Sequence, residues 1–133
     1  MDRESQVCYE KGGRRVNFDN YTDEVNEWRR LVLQSRGIDA AQTLQYSRKI
    51  IAYGEQHNDA FLLGFGYYYS GETYFTLNDG SHFFETINRA LSYLDQAEEW
   101  ELMVRCYNYL GIAAMNLSLI HIYEPTRPLY ISY

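Results

Sequence analysis

Cysteine is scarce in this chain: only Cys8 and Cys106 occur in 133 residues, far apart and in unlike contexts. Two cysteines make no disulfide framework, and with three scattered histidines they offer no metal-ligand spacing. No apolar run approaches the roughly 20 residues of a membrane span. The opening MDRESQVCYEKGGRR is polar and lacks the apolar centre of a signal peptide. Basic residues are in the minority, 12 Lys and Arg against 18 Asp and Glu, for a net charge of −6. Nucleic acid is therefore not an expected partner, because its binding draws on clustered Lys and Arg. These absences point to a cytoplasmic protein without membrane, metal or cofactor.

Acid–base chemistry is thin as well. His82 with Glu85, and His57 with Asp59, come without a nucleophile or a third orienting group, so no catalytic residue is expected in this stretch. Gly12-Gly13-Arg14-Arg15 has neither a strand before it nor a Lys-Ser/Thr pair after it, and reads as an elbow, not a phosphate loop. Gly64-Phe65-Gly66 follows a helical pattern instead of a strand, which argues against a dinucleotide fingerprint.

Tyrosine is what the chain has in abundance, with fourteen alongside six Phe. Such residues suit helix surfaces that bury a ring while the hydroxyl keeps a polar partner. Residues 61–116 read as helix, turn, helix, turn, helix. Laid forty positions apart, the chain agrees at Tyr53/Tyr93, Gln56/Gln96, Leu62/Leu102, Tyr67/Tyr107, Tyr69/Tyr109 and Gly71/Gly111. Self-similarity at a fixed period marks stacked helical hairpins, each of which hides its apolar face against a neighbour.

Residues 1–20 show no periodicity and are expected to form a flexible leader, with no sheet anywhere before Asn116. Thr22 can cap a first helix whose apolar stripe is Val25, Trp28, Leu31 and Val32, closed by Gly37. Asp39 and Gln42 form a capping-box pattern for a second helix through Leu44, Ile50, Ile51 and Tyr53. The third, about 59–77, carries Gly64, Gly66 and Gly71, each costing about 1 kcal/mol against alanine. Gly64 and Gly71 share a face, where another helix can come close. Asp79 or Ser81 caps a fourth helix with Phe84, Ile87, Leu91 and Leu94 inside. A fifth runs from Glu98 or Glu99 to about Asn116 with Leu102, Cys106, Tyr109, Leu110 and Ala113 apolar; Cys106 reads as a small buried hydrophobe. The expected fold is all-α, about five antiparallel helices in a right-handed stack over 21–116.

Tyr67-xx-Ser70-Gly71-xx-Tyr74 with Ala90, and Tyr107-xx-Leu110-Gly111-xx-Ala114, resemble the signature of tetratricopeptide repeats. Ser70 stands where that family has Leu, Ala114 where it has Tyr, and Phe83 where it has a small residue. The period of forty also exceeds the family's usual ~34. The resemblance implies a partner groove lined by the first helix of each hairpin. Its positions here are Phe65, Tyr68, Glu72, Phe75 and Thr76, then Arg105, Asn108, Ile112 and Met115. More narrowly, GYYYSGETYFTLNDG…FFETINRALSYLDQAEEWELMVRCYNYLGI resembles the N-terminal repeat regions of bacterial diguanylate cyclases. That implies a non-enzymatic sensory or protein-interaction module, its groove filled by a protein, a peptide or a homodimer mate, acting on an absent cyclase domain. A peptide-sensing region of a transcription regulator and a stand-alone adaptor are the alternatives. After Asn116 the character changes: 117–127 resemble LSLIHISEPTR, a translated sequencing-adapter read-through, with Tyr123 for Ser, and 131–133 match its constant continuation. Residues 117–133 are accordingly expected to be non-native, with the natural chain continuing differently and the fifth helix left partly uncovered.

Overall fold

Five helices follow one another with connections of two to four residues, short enough that each helix must fold back antiparallel on the last. The computed structural model describes residues 7–9, 15–17 and 21–122. The helices are α1 (Asp23–Ser35), α2 (Ala40–His57), α3 (Ala60–Thr76), α4 (Gly80–Ala97) and α5 (Trp100–Ile122). Each consecutive pair packs together, and α3 also meets α5. The fold is all-α in helical hairpins, as the periodicity predicts.

The starts of the helices are set by local chemistry. Thr22 accepts from the amide of Val25 at 3.2 Å, Asp39 from Gln42 at 3.1 Å, Asp59 from Leu62 at 3.1 Å and Asp79 from His82 at 3.3 Å. Asp79, not Ser81, thus caps α4. The ends are set by left-handed residues: Gly37 at φ 76°, Asn58 at 52°, Asn78 at 60° and Glu98 at 58°. Asn58 and Glu98 close α2 and α4 forty positions apart, so the period holds in backbone conformation even where the residue type has changed.

Burial carries the period further than identity does. The buried face of α2 is Thr43, Ser47, Ile50 and Gly54; that of α4 is Phe83, Ile87, Ala90 and Leu94. Every position is forty residues from its counterpart, while Thr43, Ser47 and Gly54 of α2 give way to the larger Phe83, Ile87 and Leu94 of α4, and Ile50 to the smaller Ala90. The expected inner residue Phe84 is 38% exposed, and its neighbour Phe83 takes the core place at 2%. One step along a helix turns a side chain by about 100°, and two adjacent phenylalanines leave that choice to packing. In α1, Val25 and Val32 are buried as expected, but Arg29 joins them ahead of Trp28 and Leu31.

The glycines of α3 let α4 sit close. A Cβ on Gly64 would lie 2.5 Å from Leu94 Cδ2, and one on Gly71 would lie 2.6 Å from Ile87 Cδ1. Gly66 does the same for α2, where a Cβ would meet Ile51 Cγ1 at 2.5 Å. The close packing that these absent side chains permit offsets their helix-propensity cost. Around this seam lie Leu62, Phe65, Tyr68, Phe83, Ile87, Ala90, Leu94 and Cys106, all buried.

Two expectations are corrected. Val7–Tyr9 and Arg15–Asn17 form a short antiparallel ladder, β1 and β2, with Cys8 opposite Val16. The leader therefore contains strand pairing, which the alternating Val-Cys-Tyr and Arg-Val-Asn either side of Gly12-Gly13 could have signalled. It lies outside 21–116. Helix α5 (Trp100–Ile122) also passes Asn116 without a break, because no Pro or Gly interrupts the helix there. Residues 123–133, like the remainder of the leader, are outside the described residues.

Gly71 and Gly111 stand forty positions apart but in opposite surroundings, since a Cβ on Gly111 meets nothing within 4 Å among the described residues. Gly71→Ala should destabilise the fold by about 1–2 kcal/mol, overpacking outweighing the gain in helix propensity. Gly111→Ala should stabilise it by up to about 1 kcal/mol. Urea unfolding of the two variants checks this, and shifts of the same sign would contradict it.

Candidate functional site

The side chains that converge between α1, α3 and α5 are organised by one carboxylate. Glu72, in the last turns of α3, is 6% exposed. Arg36, which caps the C-terminus of α1, donates to it twice, Nε to Oε1 at 2.9 Å and Nη2 to Oε2 at 2.6 Å. Oε2 also accepts from the hydroxyls of Tyr68 at 3.1 Å and Tyr109 at 2.9 Å. A buried carboxylate is tolerable only when paired and hydrogen-bonded, and here four donors from three helices do that. The node ties the three first helices of the hairpins together.

Two adjoining clefts open above it. One, of about 500 Å3, lies toward α1 and is lined by Leu33, Arg36, Ile38, Glu72, Thr76 and Tyr109 among others. The other, of about 390 Å3, lies toward α5 and is lined by Arg36, Tyr68, Glu72, Arg105, Asn108, Tyr109 and Ile112. Of the positions implied by the repeat resemblance, Tyr68, Glu72, Arg105, Asn108 and Ile112 come together in this second cleft. Thr76 lines the first, with its hydroxyl donating to the Glu72 carbonyl at 3.1 Å.

The remaining three are elsewhere. Phe65 is 5% exposed and packs between Phe61 and Tyr69, with the Arg29 guanidinium 5.3 Å from its ring centre. Phe75 meets Phe83 and Tyr109 at 5.3 and 4.9 Å and borders a separate hollow beside Phe84 and Leu117. Met115 is 66% exposed on α5 and lines neither cleft. Arg36 and Tyr109 were missed. Tyr109 reads as one of the apolar residues of the fifth helix in the sequence, and Arg36 falls in a turn 36 positions from Glu72, with no spacing to link the two.

The electrostatics follow from the geometry. Burial first, and then the charge of Glu72, raise the Tyr68 hydroxyl well above its ordinary value. The same two causes push Tyr109 up to about 12. Burial is the main cause that lifts Tyr69, with Glu72 and Glu101 adding to it and Arg36 and Arg105 working against it. The hydrogen bond to Glu72 raises Arg36 further still. Burial works against the charge of Arg105, but Tyr69 and Tyr68 outweigh it, and its Nη2 donates to Glu101 Oε2 at 3.3 Å. Cys106 is fully buried, and burial pushes its thiol up to about 12, which makes it inert as a nucleophile.

No protein-family model matches this chain, and no curated protein and no solved structure is significantly similar to it.

Tyr109 keeps its proton to about 12 in the fold, whereas unfolded tyrosine releases it near 10. Between those values the unfolded chain binds fewer protons, so stability is complete below about pH 10 and falls as pH rises. Tyrosinate absorbance of the folded chain should rise in two stages, with Tyr68, Tyr69 and Tyr109, and Tyr21 at the start of α1, in the late one. Tyr109→Phe should shrink that late stage. A single stage near the ordinary value would contradict the burial of these hydroxyls around Glu72.

Proposed function

We propose that this chain is a protein-interaction or sensory module of tetratricopeptide-like helical hairpins, and that its ligand is an extended acidic peptide lying in the cleft above Glu72. The observation that supports this is an imbalance of donors and acceptors. The acidic residue lining the cleft, Glu72, has both oxygens engaged from within. A guanidinium carries five N–H groups. Arg36 spends two on Glu72, and Arg105 turns one to Glu101, so both keep donors for a ligand. Asn108 adds an amide, and Ile112 adds apolar surface at the rim. A segment rich in carboxylates matches this lining, although the chain as a whole is acidic at −6.

In a longer signalling protein, occupation of the cleft would bias the arrangement of an output domain. The sequence resemblance makes a diguanylate cyclase the candidate for that domain. The carrying surface is the same in either setting.

The test uses labelled oligoglutamate and oligolysine peptides of equal length, with binding followed by fluorescence anisotropy. The acidic peptide should bind and the basic one should not. Arg105→Glu should weaken the acidic peptide roughly tenfold or more without lowering the melting temperature. Glu72 is left intact, because removing it would strip Arg36, Tyr68 and Tyr109 of their shared acceptor. Equal binding of both peptides, or indifference to Arg105→Glu, would overturn the reading.

A further inference from the structure

The two clefts above Glu72 share a floor but differ in chemistry. Arg36, Glu72 and Tyr109 line both, so a ligand that crosses this floor enters each in turn. Toward α5 the lining adds Arg105 and Asn108, whereas toward α1 it adds Leu33, Ile38 and Ala40. The polar groups of the α1 side are mostly committed. Thr73 Oγ1 donates to the Tyr69 carbonyl at 2.8 Å and Thr76 Oγ1 to the Glu72 carbonyl at 3.1 Å, so neither hydroxyl proton is left for a ligand. Tyr109 gives its proton to Glu72, and Arg36 spends two N–H groups there. The apolar side chains, by contrast, stand open: Leu33 is 43% and Ile38 84% exposed. Ile38 is carried on a fixed backbone, since its amide and that of Asp39 both donate to the Ser35 carbonyl, at 2.9 and 2.8 Å.

We propose that Leu33 and Ile38 form a side-chain pocket for the same peptide, so that the preferred ligand is acidic but not uniformly so. This rests on the acidic-peptide reading of the cleft and refines it: an aliphatic residue of the ligand lies against Leu33 and Ile38, beside a carboxylate held by Arg105 and Asn108. A wholly acidic segment would set a carboxylate against the apolar wall, where it loses water and finds only the spare N–H groups of Arg36. An aliphatic side chain there removes its own surface and that of Leu33 and Ile38 from water together. Arg105 accordingly selects for acidity, and Leu33 and Ile38 select among acidic peptides.

The probes are labelled oligoglutamate peptides with either a single central Leu or a single central Ser, titrated against the full chain by fluorescence anisotropy. Glutamates on both sides let the Leu reach the wall whichever way the peptide runs. The Leu peptide should bind about tenfold more tightly than the Ser peptide. Ile38→Ser should remove most of that difference by weakening the Leu peptide alone, and the melting temperature should hold because Ile38 is 84% exposed. Arg105→Glu should weaken both peptides and preserve their ratio. Equal binding of the two peptides, with both still dependent on Arg105, would overturn the pocket and leave the acidic-peptide reading standing. The pocket is also overturned if Ile38→Ser leaves the ratio unchanged, or if it only converts a dimer of the chain to monomer in sedimentation, which would make a second copy the occupant. If neither peptide binds, the pocket and the reading beneath it fall together.

Discussion

The fold depends on how closely α3 lets its neighbours approach. A helix with ordinary side chains holds its partners 8–10 Å away, axis to axis. On α3, Gly64 and Gly71 remove the side chains that would keep Leu94 and Ile87 at a distance, and Gly66 does so for Ile51. As a result α3 is buried along most of its length, from Leu62 to Thr73 with only Tyr67 half-covered. Its mean character is apolar all round, as a helix packed on several sides requires. The helices at either side keep the one-sided patterns of surface helices.

From that centre the candidate site follows. Because α3 is gripped by α2 and α4, its remaining side is fixed in position against α1 and α5. Glu72 emerges there, and its carboxylate is satisfied by Arg36 and Tyr109 from those two helices. The four donors come from α1, α3 and α5, so the one carboxylate links the positions of these three helices. The cleft above inherits a fixed floor and leaves Arg105, Asn108 and Ile112 facing outward from α5. Cleft and scaffold are thus divided between the two faces of the same helices.

Much of this was legible in the residues alone. Thr22, Asp39 and Asp79 announce helix starts because an N-cap is a local bond between neighbours in sequence. Gly64 and Gly71 announce a close approach because two such costs on one face call for a shared return. What could not be read are the choices made by tertiary packing. Phe83 over Phe84, and the guanidinium of Arg29 stacked near Tyr21, Phe61 and Phe65 in the core, depend on what lies across the interface. The pairing of Arg36 with Glu72 joins a turn to a helix through space, and no periodicity points to it. The positions implied by the repeat resemblance are divided by the same tertiary packing. Tyr68, Glu72, Arg105, Asn108 and Ile112 face one cleft, but Phe65 and Phe75 are drawn into aromatic packing and Met115 is exposed on α5 outside that cleft.

The most direct test of the account is a double-mutant cycle at the α3–α4 seam, with Gly64→Ala, Leu94→Ala and the pair measured by urea unfolding. Gly64→Ala alone should be destabilising, because its Cβ would fall 2.5 Å from Leu94 Cδ2 and 2.8 Å from Cγ. With Leu94 shortened to alanine that collision is gone, so the two substitutions should couple favourably, by about 1 kcal/mol or more. Strictly additive effects would mean that the two helices do not meet there, and the close-packed centre of this fold would have to be abandoned.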